Sequence, residues 1–219
     1  MYLPHHFKED RPEVLGTFIR AHPFATLVSL GADGLVGTHL PMLWDPEPAP
    51  FGTLTGHIAR PNPQAKGARD GGRGGVDALA IFQGAQAYIS PNWYPSKREH
   101  GKVVPTWNYI AVHAYGALKL VDDAEWLRRF VTRLTDLNEK FSAVPWKVTD
   151  APAAFVDQML KGIVGIEIPL ARLEGKWKLG QNRPATDQAG TVAGLEARGD
   201  ADSRAVAEAM SAARGSQSR

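Results

Sequence analysis

Residues 24–43, FATLVSLGADGLVGTHLPML, decide the fold class. Phe24 to Leu30 alternates side-chain type and is rich in strand formers; the turn residues Gly31-Ala32-Asp33-Gly34 follow, and Leu35 to Leu43 resumes the strand pattern. A period of two puts successive side chains on opposite faces of a strand, and two such runs around a Gly- and Asp-containing turn predict a β-hairpin. No helical crossover separates them, so the pair is antiparallel.

The flanking sequence extends this reading. Upstream, Asp10-Arg11-Pro12-Glu13 supplies a capping acceptor, a proline near the first helical position and a glutamate three residues past the cap. Val14, Leu15, Phe18 and Ile19 then share a face, and Pro23 ends this helix at about Ala21. Downstream, the proline-rich segment Pro46 to Pro50 leads to a third strand, GTLTGHIA, and then to Arg60–Gly75, whose density of Gly, Arg and Lys predicts a mobile loop. ALAIFQG and AQAYIS predict a hairpin turning near Gln83-Gly84, followed by an aromatic and basic loop, Pro91 to Lys102, and a long β run from Val103 to Val121. Asp122 and Asp123 cap a second helix with the apolar stripe Trp126, Leu127, Phe130, Val131, Leu134 and Leu137. A third, capped by Asp150 with Pro152 in its first turn, is expected to bury Phe155, Val156, Met159 and Leu160, after which IVGIEIPLARLEGKWKL returns to β. From about Pro184 the chain is rich in Ala, Gly and Ser, with one weak amphipathic helix near Ser203 to Ala213. About six or seven antiparallel strands with helices between and after them predict an α+β domain whose sheet closes into a barrel.

Composition removes whole classes of function. The 219 residues are 43% hydrophobic and 22% charged, near the average for globular proteins, which excludes wholesale disorder, collagen and coiled coil. The absence of cysteine excludes disulfides, thiolate nucleophiles, zinc ribbons and iron–sulfur clusters. A net charge of +2 is too small for a general polyanion binder, so any anion site is local. No run approaches the roughly 18 apolar residues of a membrane span, and MYLPHHFKEDRPEVL has no secretory pattern, so no membrane association and a cytoplasmic location are expected. Serine-hydrolase, P-loop, dinucleotide-binding and zinc-protease motifs are missing. Of the seven histidines only His5-His6 are adjacent, which reads as a solvated pair, and no metal is expected.

Three segments place basic and amide side chains at strand ends beside aromatics. His57 to Gln64 runs out of a strand into Arg60 and Asn62, charge-assisted donors of the kind a phosphate monoester needs, although a solvated loop start would look the same. Tyr88 to Tyr94 and Val103 to Tyr109 combine aromatics with Ser, Thr and Asn, suited to a flat heterocycle or simply to a packed loop cluster. Lys176 to Pro184 gathers polar and basic groups around Trp177, or forms a solvated strand end.

Together these stretches resemble PaiB-type, FMN-binding negative transcriptional regulators, a branch of the flavin-binding split β-barrel group that includes pyridoxamine-phosphate oxidases. The matching segments are MYLPHHFKEDRPEVL, ATLVSL through GTHLPML, GHIARPNPQ, AYISPNWYPSKREHGKVVPTWNY with AVHAYG after it, and GIEIPLARLEGKWKLGQNRP. WYPSK, VPTWNY and KWKLGQNRP are the most specific, while Gln64 to Gly75 and the tail after Leu195 lie outside the signature.

The resemblance implies an antiparallel six-stranded split barrel over residues 1–195 with flanking helices, a homodimer, and FMN in a groove between subunits, while the Ala/Gly/Ser-rich stretch 196–219 reads by composition as a helical tail. It places Arg60 and Asn62 on the phosphate and Thr38 and His39 along the ribityl chain or ring. By side-chain type, Trp107, Asn108, Lys178 and Gln181 are candidates for the ring edge, and Arg183 for the phosphate or the partner subunit. It further implies a negative transcriptional regulator, with flavin-dependent oxidoreduction of an unidentified substrate as the alternative; no acid–base residue stands out. A haem protein on the same barrel would need His39, His57 or His113 as axial ligand, and strand histidines are more often structural. Direct DNA binding has weak support. The two middle helices are separated by the Trp146 segment, and the basic residues Arg60, Lys66, Arg69 and Arg73, set against Asp70, read as a solvated loop able at most to touch phosphates non-specifically.

Overall fold

The computed structural model describes residues 1–31 and 34–217. A 3-10 turn (His5–Phe7) and a two-residue strand β1 (Lys8–Glu9) precede helix α1 (Pro12–Ala21), which begins at the proline of the cap signature and buries Leu15 and Ile19. Gly16 is required here: a Cβ would stand 2.1 Å from the Trp44 ring.

The hairpin of residues 24–43 forms as read. Strands β2 (Phe24–Gly31) and β3 (Gly34–Pro41) pair antiparallel in the register Thr26↔His39 and Val28↔Gly37, with turn residues Ala32 and Asp33 outside the described residues. Ala25, Leu27 and Ser29 point inward and are buried. Strands β4 (Leu43–Asp45) and β5 (Thr53–Ala59) follow.

Arg60–Gly75, expected as a loop, instead contains helix α2 (Pro63–Asp70) and a 3-10 turn (Gly72–Gly74). Asn62 caps α2 and Pro63 takes its first position, a start signal that the Gly-rich composition hides. The expected hairpin at Gln83-Gly84 is also absent: β6 (Val76–Ile89) runs through Gly84 as one strand. Short helix α3 (Ser96–His100) and strand β7 (Thr106–Val121) lead to α4 (Ala124–Glu139), capped by Asp123 through Trp126 N–H at 2.8 Å. In α5 (Ala153–Leu160) Val156 and Leu160 are buried as expected, packing with Leu127 of α4, whereas Phe155 and Met159 are about half exposed.

Strand β8 (Ile163–Lys178) is followed by α6 (Ala185–Arg198) and α7 (Ala201–Gln217), two helices where one was expected. Gly190 and Gly194, within the Ala-, Gly- and Ser-rich stretch, seat Trp93 against α6. Gly199, at φ +73°, ends α6 in the left-handed conformation that favours glycine.

Hydrogen-bonded strands follow the order β3-β2-β6-β7-β8-β5-β4, with β1 on β8. Among the described residues there are thus eight strands rather than six, because β1 and β4 are too short to show a period in the sequence. Among the described residues no ladder joins β3 to β4, so the path does not close. Two compact units emerge: Met1–Arg11, Gln83–Val112 and the chain from Glu174 onward form unit 1, and Pro12–Phe82 with His113–Leu173 form unit 2. Strands β6, β7 and β8 each contribute a segment to both, and residues 196–217 fall within unit 1.

Candidate functional site

In unit 2, Arg60 stands where β5 ends. Its Nε donates to Lys161 O at 2.8 Å and its two terminal nitrogens clasp Asp122 at 2.9 and 2.6 Å. This hydrogen-bonded pair raises the Arg60 pKa and lowers that of Asp122. Asn62 works in two directions: Oδ1 accepts from Gln64 N–H at 2.9 Å and caps α2, and Nδ2 donates to Thr38 Oγ1 at 2.9 Å. Beyond it, Gln64 is buried and its Nε2 bonds Ser29 Oγ at 2.9 Å, fixing α2 against β2.

Thr38 and His39 are chain neighbours and therefore face opposite sides of β3. Thr38 meets Asn62, whereas His39 is exposed and stacks on Phe24 with ring centroids 6.4 Å apart. The face that carries His39 is apolar and uncovered within the chain: Phe24, Leu30 and Leu35 are 65%, 62% and 79% exposed. A Cβ on Gly37, between Leu35 and His39 on this face, would meet nothing within 4 Å.

In unit 1 the same alternation separates two further candidates. Trp107 is 53% exposed and meets Tyr88 edge-on at 6.2 Å, while Asn108 is 3% exposed and donates to Met210 Sδ at 3.4 Å. Asn108, Lys178 and Arg183 line a partly open cavity of about 120 Å³ together with Tyr94, Thr106 and Met210. Lys178 Nζ donates to Thr106 Oγ1 at 2.6 Å and to Trp107 O; burial, and then the charges of Lys176 and Arg183, lower its pKa. Gln181 is structural: its amide closes the turn after β8 by accepting from Leu179 N–H at 2.9 Å and donating to Trp177 O at 2.6 Å. Sequence reasoning did not single out Asp122 as a partner of Arg60, or Met210 as a cavity wall. Only a helix over 201–217 with Met210 on its buried face would have pointed to the latter.

The donors of unit 2 suit the phosphate of an FMN. Among the described residues Arg60 uses three of its N–H groups, Asn62 one amide N–H, and Thr38 only its acceptor oxygen. Two guanidinium N–H, one amide N–H and one hydroxyl therefore remain for an oxyanion. The bare backbone at Gly37 beside apolar side chains suits a flat ring, since a strand glycine marks close approach of a ligand or another backbone. The unit 1 cavity is well below the roughly 300–1,000 Å³ of pockets that bury a cofactor-sized ligand.

The profile of the family described as "Putative FMN-binding domain" matches residues 1–172. The protease synthase and sporulation protein PAI 2 of Bacillus subtilis is 33% identical over 210 residues, covering 96% of each chain. An uncharacterised protein of Emericella nidulans is 32% identical over 239 residues, covering 94% of this chain and 95% of its own. By structure, the FAD and heme binding protein of Mycobacterium smegmatis aligns with TM-score 0.58 at 12% identity, over 83% of this chain and 78% of that one. The flavocytochrome Anf3 of Azotobacter vinelandii aligns with TM-score 0.56 at 11% identity, over 79% and 70%. At such identities the likeness concerns the fold alone, an antiparallel sheet with flanking helices of the split-barrel kind. The chain belongs to the PaiB-type FMN-binding domain family, whose cofactor is FMN.

Proposed function

We propose that the protein is an FMN-binding homodimer of the PaiB type and a negative regulator of transcription, with the flavin phosphate anchored at the β5–α2 junction. Arg60, Asn62 and Thr38 would hold the phosphate on one face of β3, and the flavin would pass around this end strand to the other face, where His39 and the open backbone at Gly37 would line the ribityl chain or ring. The observation that carries this reading is the set of unspent donors on Arg60, Asn62 and Thr38 in the same unit as an uncovered apolar sheet face. Large apolar side chains left bare on one ribbon mark an interaction surface, and a second copy would cover Phe24, Leu30 and Leu35. When bound, FMN supplies reversible electron acceptance. The chain's own part is to bind, orient and shield it.

Regulation would run through the flavin or a partner rather than through a base-reading helix. A helix-turn-helix needs two helices joined by a tight turn, and α4 and α5 are separated by residues 140–152. Titration of the apo-protein with FMN, beside Arg60→Ala and with the mass in solution measured, tests cofactor site and dimer together. A salt-sensitive, sequence-specific gel shift by the purified protein would overturn indirect action.

A further inference from the structure

The partly open cavity of unit 1 is positively charged and its cations lack carboxylate partners. Lys178 gives its hydrogen bonds to two neutral oxygens, Thr106 Oγ1 and Trp107 O. The Arg183 guanidinium lies 4.8 Å from the Tyr94 ring centroid. Among the described residues neither cation forms an ion pair. The acid on the nearby helix, Asp187, is buried, and both its oxygens are engaged by Ser96, from N–H at 3.1 Å and Oγ–H at 2.7 Å. Lys176, which lowers the Lys178 pKa through its charge, likewise donates to a neutral oxygen, Tyr2 O, at 3.0 Å. Two cations facing one cavity with only neutral partners form a site that an anion completes.

The other walls narrow the class of anion. Asn108 is buried and presents an amide, Asn182 and Gln188 add two more, and Phe7, Tyr94 and Met210 are apolar or aromatic. A volume of about 120 Å³ admits a few heavy atoms. A bare phosphate would leave oxygens against Phe7 and Met210, whereas a short carboxylic acid has a charged end for the cations and an apolar body for those walls.

We propose that this cavity binds a small organic carboxylate, its headgroup held by Lys178 and Arg183 and its body against Phe7, Tyr94 and Met210. The proposal rests on the reading that places the flavin at the β5–α2 junction of unit 2. The cavity also reports outward: Lys178 Nζ donates to the Trp107 carbonyl, and the Trp107 ring is on the opposite, exposed face of β7 against Tyr88. A carboxylate that draws Nζ inward weakens that bond and shifts the tryptophan's surroundings, which gives the protein a route for sensing a metabolite acid.

The test is calorimetric titration of the full chain with butyrate, benzoate and inorganic phosphate, with and without saturating FMN, on wild type, Lys178→Met and Arg183→Met. Saturable one-to-one binding of butyrate or benzoate is expected, weaker by at least about tenfold in each variant, with phosphate weaker than either acid and FMN without effect. On the wild type alone, nuclear Overhauser contacts from the butyrate methyl to the Met210 methyl are expected, so the answer does not depend on a variant folding. Absence of saturable binding, wild-type affinity in both variants, tightest binding by phosphate, missing contacts to Met210, or displacement of the acid by FMN would each overturn the proposal. The last would make the cavity part of the flavin site.

Discussion

A phosphate arriving at Arg60 must compete with Asp122, which already takes two of its N–H groups. The pair is largely solvent-exposed, with side chains 32% and 58% accessible, and such pairs contribute about 0–1 kcal/mol. A dianionic phosphate can therefore displace the carboxylate. Asp122→Asn is predicted to leave thermal stability nearly unchanged while tightening FMN by roughly fivefold, about 1 kcal/mol of relieved repulsion; fluorescence titration reads it, and weaker binding would argue against Arg60 as the anchor. His57 gives a second residue-scale prediction. Its buried Nδ1 has no hydrogen-bond partner among the described residues, its ring meets Phe130 at 5.7 Å, and burial lowers its pKa. With the folded value below the unfolded one of about 6.5, stability is full above that pH and declines as the pH falls towards the folded value. His57→Phe is expected to flatten that decline in denaturation curves run between pH 7 and 5. At this scale the sequence could name Arg60, Asn62 and Lys178 as side chains suited to an anion, and it could not show that Trp107 and Asn108 diverge, since that follows only once β7 exists.

Elements with strong periodicity were legible: the β2–β3 hairpin, α1 and α4 formed where alternation, caps and stripes placed them. Glycine misled in both directions. Gly84 read as a turn within what is one strand, and the Ala-, Gly- and Ser-rich composition from about Pro184 hid α6, which carries Gly190 and Gly194. Their need is tertiary, since a Cβ at Gly190 would stand 2.1 Å from Trp93 O and one at Gly194 2.3 Å from the Trp93 ring. On an open helix face Gly→Ala gains about 1 kcal/mol, whereas overpacking here costs about 1–3 kcal/mol. Gly190→Ala is thus predicted to destabilise, the more so because a backbone carbonyl cannot rotate aside. A raised melting temperature would contradict the packing of α6 on the Trp93 loop.

For the whole molecule, a net charge of +2 offers no broad field for nucleic acid, and the exposed apolar ribbon of β2 and β3 points to protein–protein contact. Leu35→Glu, 79% exposed in the single chain, should leave the fold intact and shift sedimentation from dimer to monomer, with FMN affinity falling alongside. A variant that remains dimeric would move the subunit contact elsewhere. The central claim, an FMN anchored at Arg60 and its neighbours, is tested most directly by titrating FMN into apo-protein, wild type beside Arg60→Ala. The account predicts micromolar or tighter binding that weakens at least tenfold in the variant, about 1.4 kcal/mol; wild-type affinity in Arg60→Ala would contradict it.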